Sequence, residues 1–215
     1  MKTPTARVFL LSPANCNGRR GVQLASPRSA FGVAVRLASA EGVELGELFS
    51  FVSGLYFRGK LTYARRFASP PDPTNPVVGA GIHIITSNAG LRSPDTRVTR
   101  EAFLALASGD IDVANASYRR PLEQSAAALG QELGDCDVVL LGSIASSKYV
   151  DVLLGVFGDR LLFPLDFVGR GDMSRGGLLL RKAADGQELD YIPVAGASRR
   201  GARPPKLDPT WRAPR

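Results

Sequence analysis

Four short polar stretches of this chain combine residue types that bind or transform anionic ligands. Residues 13–21 (PANCNGRRG) set Cys16 beside Arg19 and Arg20. Residues 87–95 (SNAGLRSPD) carry Asn88 and Asp95, and residues 142–148 (GSIASSK) carry Ser143, Ser147 and Lys148. Residues 169–177 (GRGDMSRGG) carry Arg170, Asp172 and Arg175 among four glycines. Arginine forks and backbone N–H groups at helix starts both suit phosphate. Arg19, Arg20, Lys148, Arg170 and Arg175 are therefore the expected phosphate contacts, with Ser147 beside them. Ser143 and Asn88 are placed to orient a base or sugar. Asp95 and Asp172 are the acid/base candidates. Cys16 is a nucleophile candidate, because positive neighbours lower a thiol pKa.

Each stretch also has a plainer role. The 142–148 loop lacks the second Gly before Lys and the Ser/Thr after it that a Walker A loop needs, and its plainer reading is a strand-to-helix turn capped by Ser. The glycine-rich 169–177 stretch is either a loop that closes over phosphates or a long connection with solvated arginines. Cys16 has no locally paired His or Lys and reads also as a small buried hydrophobe. His83, the chain's single histidine, lies between Ile82 and Ile84 and reads as structural.

The elements that must position these stretches follow from hydropathy. Residues 7–12 (RVFLLS), 82–86 (IHIIT) and 137–141 (DVVLL) are short apolar runs of buried-strand type. Residues 33–37 alternate weakly and read as a further strand, with a turn over 40–46. Helical spacing of Leu55, Tyr56, Leu61, Ala64 and Phe67 predicts a helix from about Ser53 to Phe67, its other side made basic by Arg58, Lys60, Arg65 and Arg66. Thr99 caps a helix over 100–107, and Pro121 opens another over 121–133. A helix over 148–154 follows the third apolar run. Residues 160–163 form a strand, and 178–181 with 188–193 form a hairpin closed near Asp185-Gly186.

This order predicts a three-layer α/β fold: a largely parallel central sheet flanked by helices, with a C-terminal antiparallel hairpin. Residues 1–197 form one domain, and 198–215 form a flexible, extended, Pro/Arg-rich basic tail. Right-handed crossovers align the ends of the parallel strands at Ser12, Thr86 and Leu141, so the four polar stretches are expected to share one crevice.

Composition narrows the partners. Across 215 residues, 44% are hydrophobic and 22% charged, as in an ordinary globular chain. No run reaches the roughly 18 apolar residues of a membrane span. The apolar run at Val8–Leu11 is too short for a signal-peptide core, so a cytoplasmic location without membrane partners is expected. Two distant cysteines and one histidine give no metal spacing, and no cofactor is expected. The net charge of +7 favours anionic partners, although the tail's six Lys/Arg against Asp208 alone account for most of it.

Leu10-Leu11-Ser12-Pro13-Ala14 resembles the opening of the peroxide-stress YaaA family, where a strand runs into a Ser-Pro-Ala turn. Leu55-Tyr56-Phe57, followed by the Gly90-Leu91-Arg92-Ser93-Pro94-Asp95-Thr96 turn, resembles a looser group of uncharacterised bacterial domains. Similar domains accompany base-modifying enzymes with a uracil-DNA-glycosylase-like α/β fold, in which a Cys and basic residues follow the first strand, as Cys16, Arg19 and Arg20 do here. The chain is shorter than YaaA and adds the glycine-rich stretch and the arginine tail. The resemblance implies a DNA- or RNA-binding protein in the stress response, or one acting on a nucleobase. The residues alone leave open two others: a protein for a small phosphorylated metabolite or nucleotide, and an interaction module that docks through its basic tail.

Overall fold

The computed structural model describes residues 6–145, 147–198, 201–202 and 204–209. Its centre is β1 (Arg7–Leu11), in which Val8, Phe9, Leu10 and Leu11 are wholly buried. A strand apolar on both faces belongs inside a sheet covered on both sides. β3 (Ile82–Ile85) flanks it on one side and β6 (Asp137–Leu141) on the other, both parallel. β7 (Leu161–Pro164) continues the parallel set beyond β6. Two short antiparallel strands finish the edges, β4 (Leu91–Arg92) on β3 and β8 (Tyr191–Pro193) on β7. The order is β4-β3-β1-β6-β7-β8. A separate two-stranded ribbon joins β2 (Val43–Glu44) to β5 (Arg97–Val98).

Eight α-helices are described: α1 (Arg19–Ala25), α2 (Gly32–Leu37), α3 (Leu45–Ser53), α4 (Leu55–Phe67), α5 (Arg100–Ser108), α6 (Ala116–Glu132), α7 (Ser147–Phe157) and α8 (Asp172–Asp185). The mostly parallel six-stranded sheet with these helices is an α/β architecture, in agreement with the three-layer expectation. Helices α4 and α8 pack on each other, and α4 reaches β1 through Tyr63, whose ring meets Phe9 edge-on at 5.8 Å. Helices α6 and α7 form a second packed pair. No described helix is long and apolar enough to cross a membrane.

Several expectations need correction. Residues 33–37 form α2 rather than a strand. Ala34 and Leu37, three apart, are buried while Val35 is exposed, so the short run obeys the helical period and not the alternating one. The helix expected from about Ser53 is α4, opening at Leu55, but a further helix, α3, precedes it, and Gly54 at φ +66° separates the two. Helix α6 begins five residues before Pro121, where the Asn115 side chain accepts from Ser117 N at 3.0 Å. The largest change is at the C-terminus. The glycine-rich stretch does not form one long loop, and 178–181 is not a strand; both contribute to α8. Leu178, Leu179 and Ala183 are its buried face, and Gly186 ends it at φ +65°. The antiparallel extension is present, but β8 pairs with β7 across this helix.

The glycines of α8 have a packing reason. A Cβ on Gly176 would lie 2.8 Å from Tyr56 Cα, and one on Gly59 would lie 2.6 Å from the Gly176 carbonyl oxygen. Two glycines facing each other thus let α4 and α8 cross backbone to backbone. Part of the tail also packs: a Cβ on Gly169 would strike the Ala202 carbonyl, Leu207 lies against Gly177, and Arg181 donates to the Asp208 carbonyl. The tail residues Arg199, Arg200, Arg203, Arg212 and Arg215 lie outside the described residues.

Candidate functional site

The chain passes from β1 to β3 on one side of the sheet and later to β6 and β7 on the other. The carboxyl ends of β1 and β6 therefore form a topological switch point, where open α/β sheets bind ligands. Ser12 extends the pairing by one bond, its N–H donating to the Leu141 carbonyl at 3.1 Å. Gly142 follows β6 and cannot be anything larger, since a Cβ there would lie 2.8 Å from Ser12 Cβ and 2.9 Å from the Tyr149 hydroxyl. Tyr149 reaches back from the first turn of α7. Its hydroxyl accepts from Ser143 N at 3.0 Å and donates to the Ser143 carbonyl at 2.9 Å, and it meets the Ser12 side chain. Burial raises the Tyr149 pKa and keeps the phenol neutral.

Beneath Ser12 lies Lys60 of α4, only 1% exposed. Its Nζ is 2.6 Å from the Ser12 carbonyl oxygen and 2.9 Å from Ser12 Oγ. The rings of Tyr56 and Phe57 each lie 4.7 Å from Nζ. Desolvation pulls the Lys60 pKa down to about 7; Asp172 raises it and Arg175 lowers it, both from α8. The close crossing at Gly59 and Gly176 brings these two α8 charges near the amine. Arg175 is itself held, with Nη2 donating to the Phe167 carbonyl at 3.0 Å and its guanidinium 5.2 Å from the Phe167 ring centre.

A cleft of about 410 Å³ opens above Ser12. Residues 13–17 form one wall, Phe49, Leu106, Ala107 and Ile111 supply its apolar surface, and Lys148 and Tyr149 bound it on the α7 side. Ser87 closes one end, donating to the Leu106 carbonyl at 2.6 Å. The floor thus presents a hydroxyl whose neighbours include an amine and a phenol, under an apolar wall, with Lys148 and Asp110 as the charged residues of the lining.

The structure brings only some of the expected site residues to this cleft. Cys16 lines it, but burial pushes its thiol up to about 11, away from a thiolate nucleophile. Lys148 stands at the lip, and Ser147 is exposed one residue earlier. Ser143 is half-buried at the loop start, its Oγ accepting from Ala145 N at 3.3 Å. Arg19 is exposed on α1. Arg20 turns away and donates to the Phe51 carbonyl at 3.0 Å. Asn88 sits half-buried in the β3–β4 turn, and Asp95 is exposed, 3.5 Å from Arg65. Arg170 donates to the Asp166 carbonyl at 2.9 Å and reaches Ser174 and Pro205. Asp172 is exposed at the start of α8, its carboxylate 3.9 Å from Arg175. The 169–177 stretch thus does not line the cleft; its Asp172 and Arg175 lie behind it, where their charges reach Lys60.

Sequence reasoning missed Ser12, Lys60 and Tyr149. The signal for Lys60 was present. Tyr56, Phe57, Lys60, Tyr63 and Ala64 are buried at one helical face, so the lysine sits in the middle of the apolar stripe and not on the basic side. Arg58, Arg65 and Arg66 are exposed as expected. Nothing in the local sequence links Lys60 to Ser12, 48 positions away. Comparison with protein families, curated proteins and solved structures returns no match for the chain.

Proposed function

We propose that this chain binds one nucleotide-sized, nucleobase-bearing ligand in the cleft at the ends of β1 and β6 and acts on it there. The observation that carries the reading is the cleft's chemistry: about 410 Å³, an apolar wall, a serine–lysine floor and Lys148 at the lip. A wall that can lie against a base and a lip that can meet a phosphate are the parts such a ligand needs. The engaged arginines favour a free ligand over a polymer, since Arg20, Arg170 and Arg175 are held by backbone carbonyls. The resemblance of residues 10–14 and 90–96 to the YaaA-like group supports the nucleobase.

A second reading, in which DNA or RNA presents a single base to the same cleft, is favoured by the net charge of +7, by Lys148 exposed at the opening and by Arg19 exposed on α1. One experiment separates the two. Thermal stabilisation by nucleoside mono- and diphosphates, with inorganic phosphate as control, is measured beside a salt titration against single-stranded DNA, duplex DNA and RNA. Free nucleotides at a hundredfold excess over Kd should stabilise by about 2.7 kcal/mol. Lys148→Glu should weaken that binding about tenfold, one charge contact being worth roughly 1.4 kcal/mol. Polymer binding that survives removal of residues 198–215, together with no response to nucleotides, would replace the first reading by the second. Loss of all binding with the tail would sink both.

A further inference from the structure

We propose that Ser12 is an activated nucleophile, with Lys60 as its general base, and that the electrophile is the carbonyl carbon of a small acyl ester. The inference goes beyond the nucleotide reading: it rests on the cleft floor and stands or falls separately from the ligand's base.

Geometry is the first support. Ser12 lines the cleft, and Lys60 lies buried directly behind it. Nζ lies 2.9 Å from Oγ, within direct proton-transfer reach, and its 2.6 Å contact with the Ser12 carbonyl fixes the amine in place. An uncharged amine has two hydrogens and one lone pair. As an ammonium Nζ donates to both the Ser12 carbonyl and Oγ; once uncharged it keeps a hydrogen on the carbonyl, and rotation of the amine turns its lone pair to the Oγ–H.

Surroundings are the second support. Among the described residues no carboxylate lies within ion-pair distance of Lys60. The charged groups facing it are Asp172 and Arg175 of α8, which are 3.9 Å from each other and oppose one another in effect. The other titratable neighbours, Tyr56 of α4 and Tyr149 of α7, are both held neutral by burial. Packed between Tyr56 and Phe57, the amine is kept from water, and its pKa of about 7 leaves a large free-base fraction at neutral pH. Asn17 and Lys148 along the cleft suit the polar alcohol portion of such an ester.

The step balances without any redox partner. Oγ bonds to the ester carbonyl carbon as its proton passes to Lys60 Nζ, and the carbonyl π pair moves onto oxygen. Collapse breaks the bond to the alcohol oxygen, which leaves with the proton from Nζ. Water then attacks the acyl-Ser12 ester, gives its proton to Nζ, and Ser12 recovers that proton as the acid departs. The sum is ester plus water to acid plus alcohol.

The test uses the full chain with p-nitrophenyl acetate and, separately, a fluorophosphonate probe, read by p-nitrophenol release and by peptide mass mapping. The expected result is a covalent adduct on Ser12, absent in Ser12→Ala, with the rate in Lys60→Met lower by about a hundredfold or more. Circular dichroism confirms that the variants fold. Should Lys60→Met not fold, wild type alone decides: its labelling rate should climb with pH below about 7 and level off above it. No adduct on Ser12 in folded wild type overturns the proposal, as does equal labelling in folded Lys60→Met or a labelling rate independent of pH. Nucleotide stabilisation, scored on Ser12→Ala and wild type alike, reports on the nucleotide reading only.

Discussion

Burying the Lys60 amine, with no carboxylate in ion-pair reach among the described residues, makes stability depend on pH in an unusual direction, and Lys60→Met tests it. In the unfolded chain Lys60 titrates near the ordinary lysine value of 10.5, and in the fold near 7. Between these values the unfolded state holds one proton more than the native state, so stability rises with pH. Below about pH 7 both states are protonated and the full penalty of burying the charge is present. The slope at pH 8 should be about 1.2 kcal/mol per pH unit, since roughly nine-tenths of a proton separates the states. From pH 7 to 9 the gain accumulates to about 2.3 kcal/mol. The window must stop near 9, because Cys16 and Cys136, both pushed by burial up to about 11, reverse the trend once they ionise in the unfolded chain. The assay is urea unfolding at pH 7, 8 and 9 on wild type and Lys60→Met. Wild type should gain about 2.3 kcal/mol relative to Lys60→Met across the series, because the two cysteines lower both proteins equally as pH approaches 9. Methionine keeps the length and lacks the charge, so the difference in slope isolates the amine. Parallel slopes would refute the reasoning, for they would mean that Lys60 is charged in the fold.

Two further outcomes test the packing around this site. Gly176→Ala would set a Cβ 2.8 Å from Tyr56 Cα and 2.9 Å from the Leu55 carbonyl, contacts only backbone movement can relieve, so urea unfolding should show a loss of about 2 kcal/mol. His83 is buried, its Nε2 has no hydrogen-bond partner, and desolvation pulls its pKa down to about 4 against a slight rise from the Val78 backbone. Protons then prefer the unfolded state, and wild type should lose about 1.5 kcal/mol between pH 6.5 and 5; denaturation of His83→Gln over the same range should lack that loss.

How far the chain can be read directly depends on the range of the interactions. The runs at 7–11, 82–85 and 137–141 were legible because a strand buried on both faces must be apolar throughout, and five-residue windows carry that signal. Thr99 was legible as a cap because its partner, Ala102 N, is three residues away. The GRGDMSRGG stretch was misread because its glycines, taken locally, disfavour helix by about 1 kcal/mol each. The contact that outweighs this is made by α4, more than a hundred positions earlier in the chain. Cys16 was correctly placed beside the cleft, but its neighbouring arginines suggested a thiolate, which burial opposes.

The sequence by itself determined the α/β class, the three central strands, and the polar residues that follow those strands. Each follows from local periodicity or from contacts a few residues apart. Tertiary structure alone decided which of those polar residues meet. It turned Arg20, Arg170 and Arg175 onto backbone carbonyls and drew Lys60 under Ser12. The physical reason is that a buried charge is governed by solvent exclusion, and the elements that exclude solvent from Lys60, α4, β1 and α8, lie far apart in the chain and meet only when it folds.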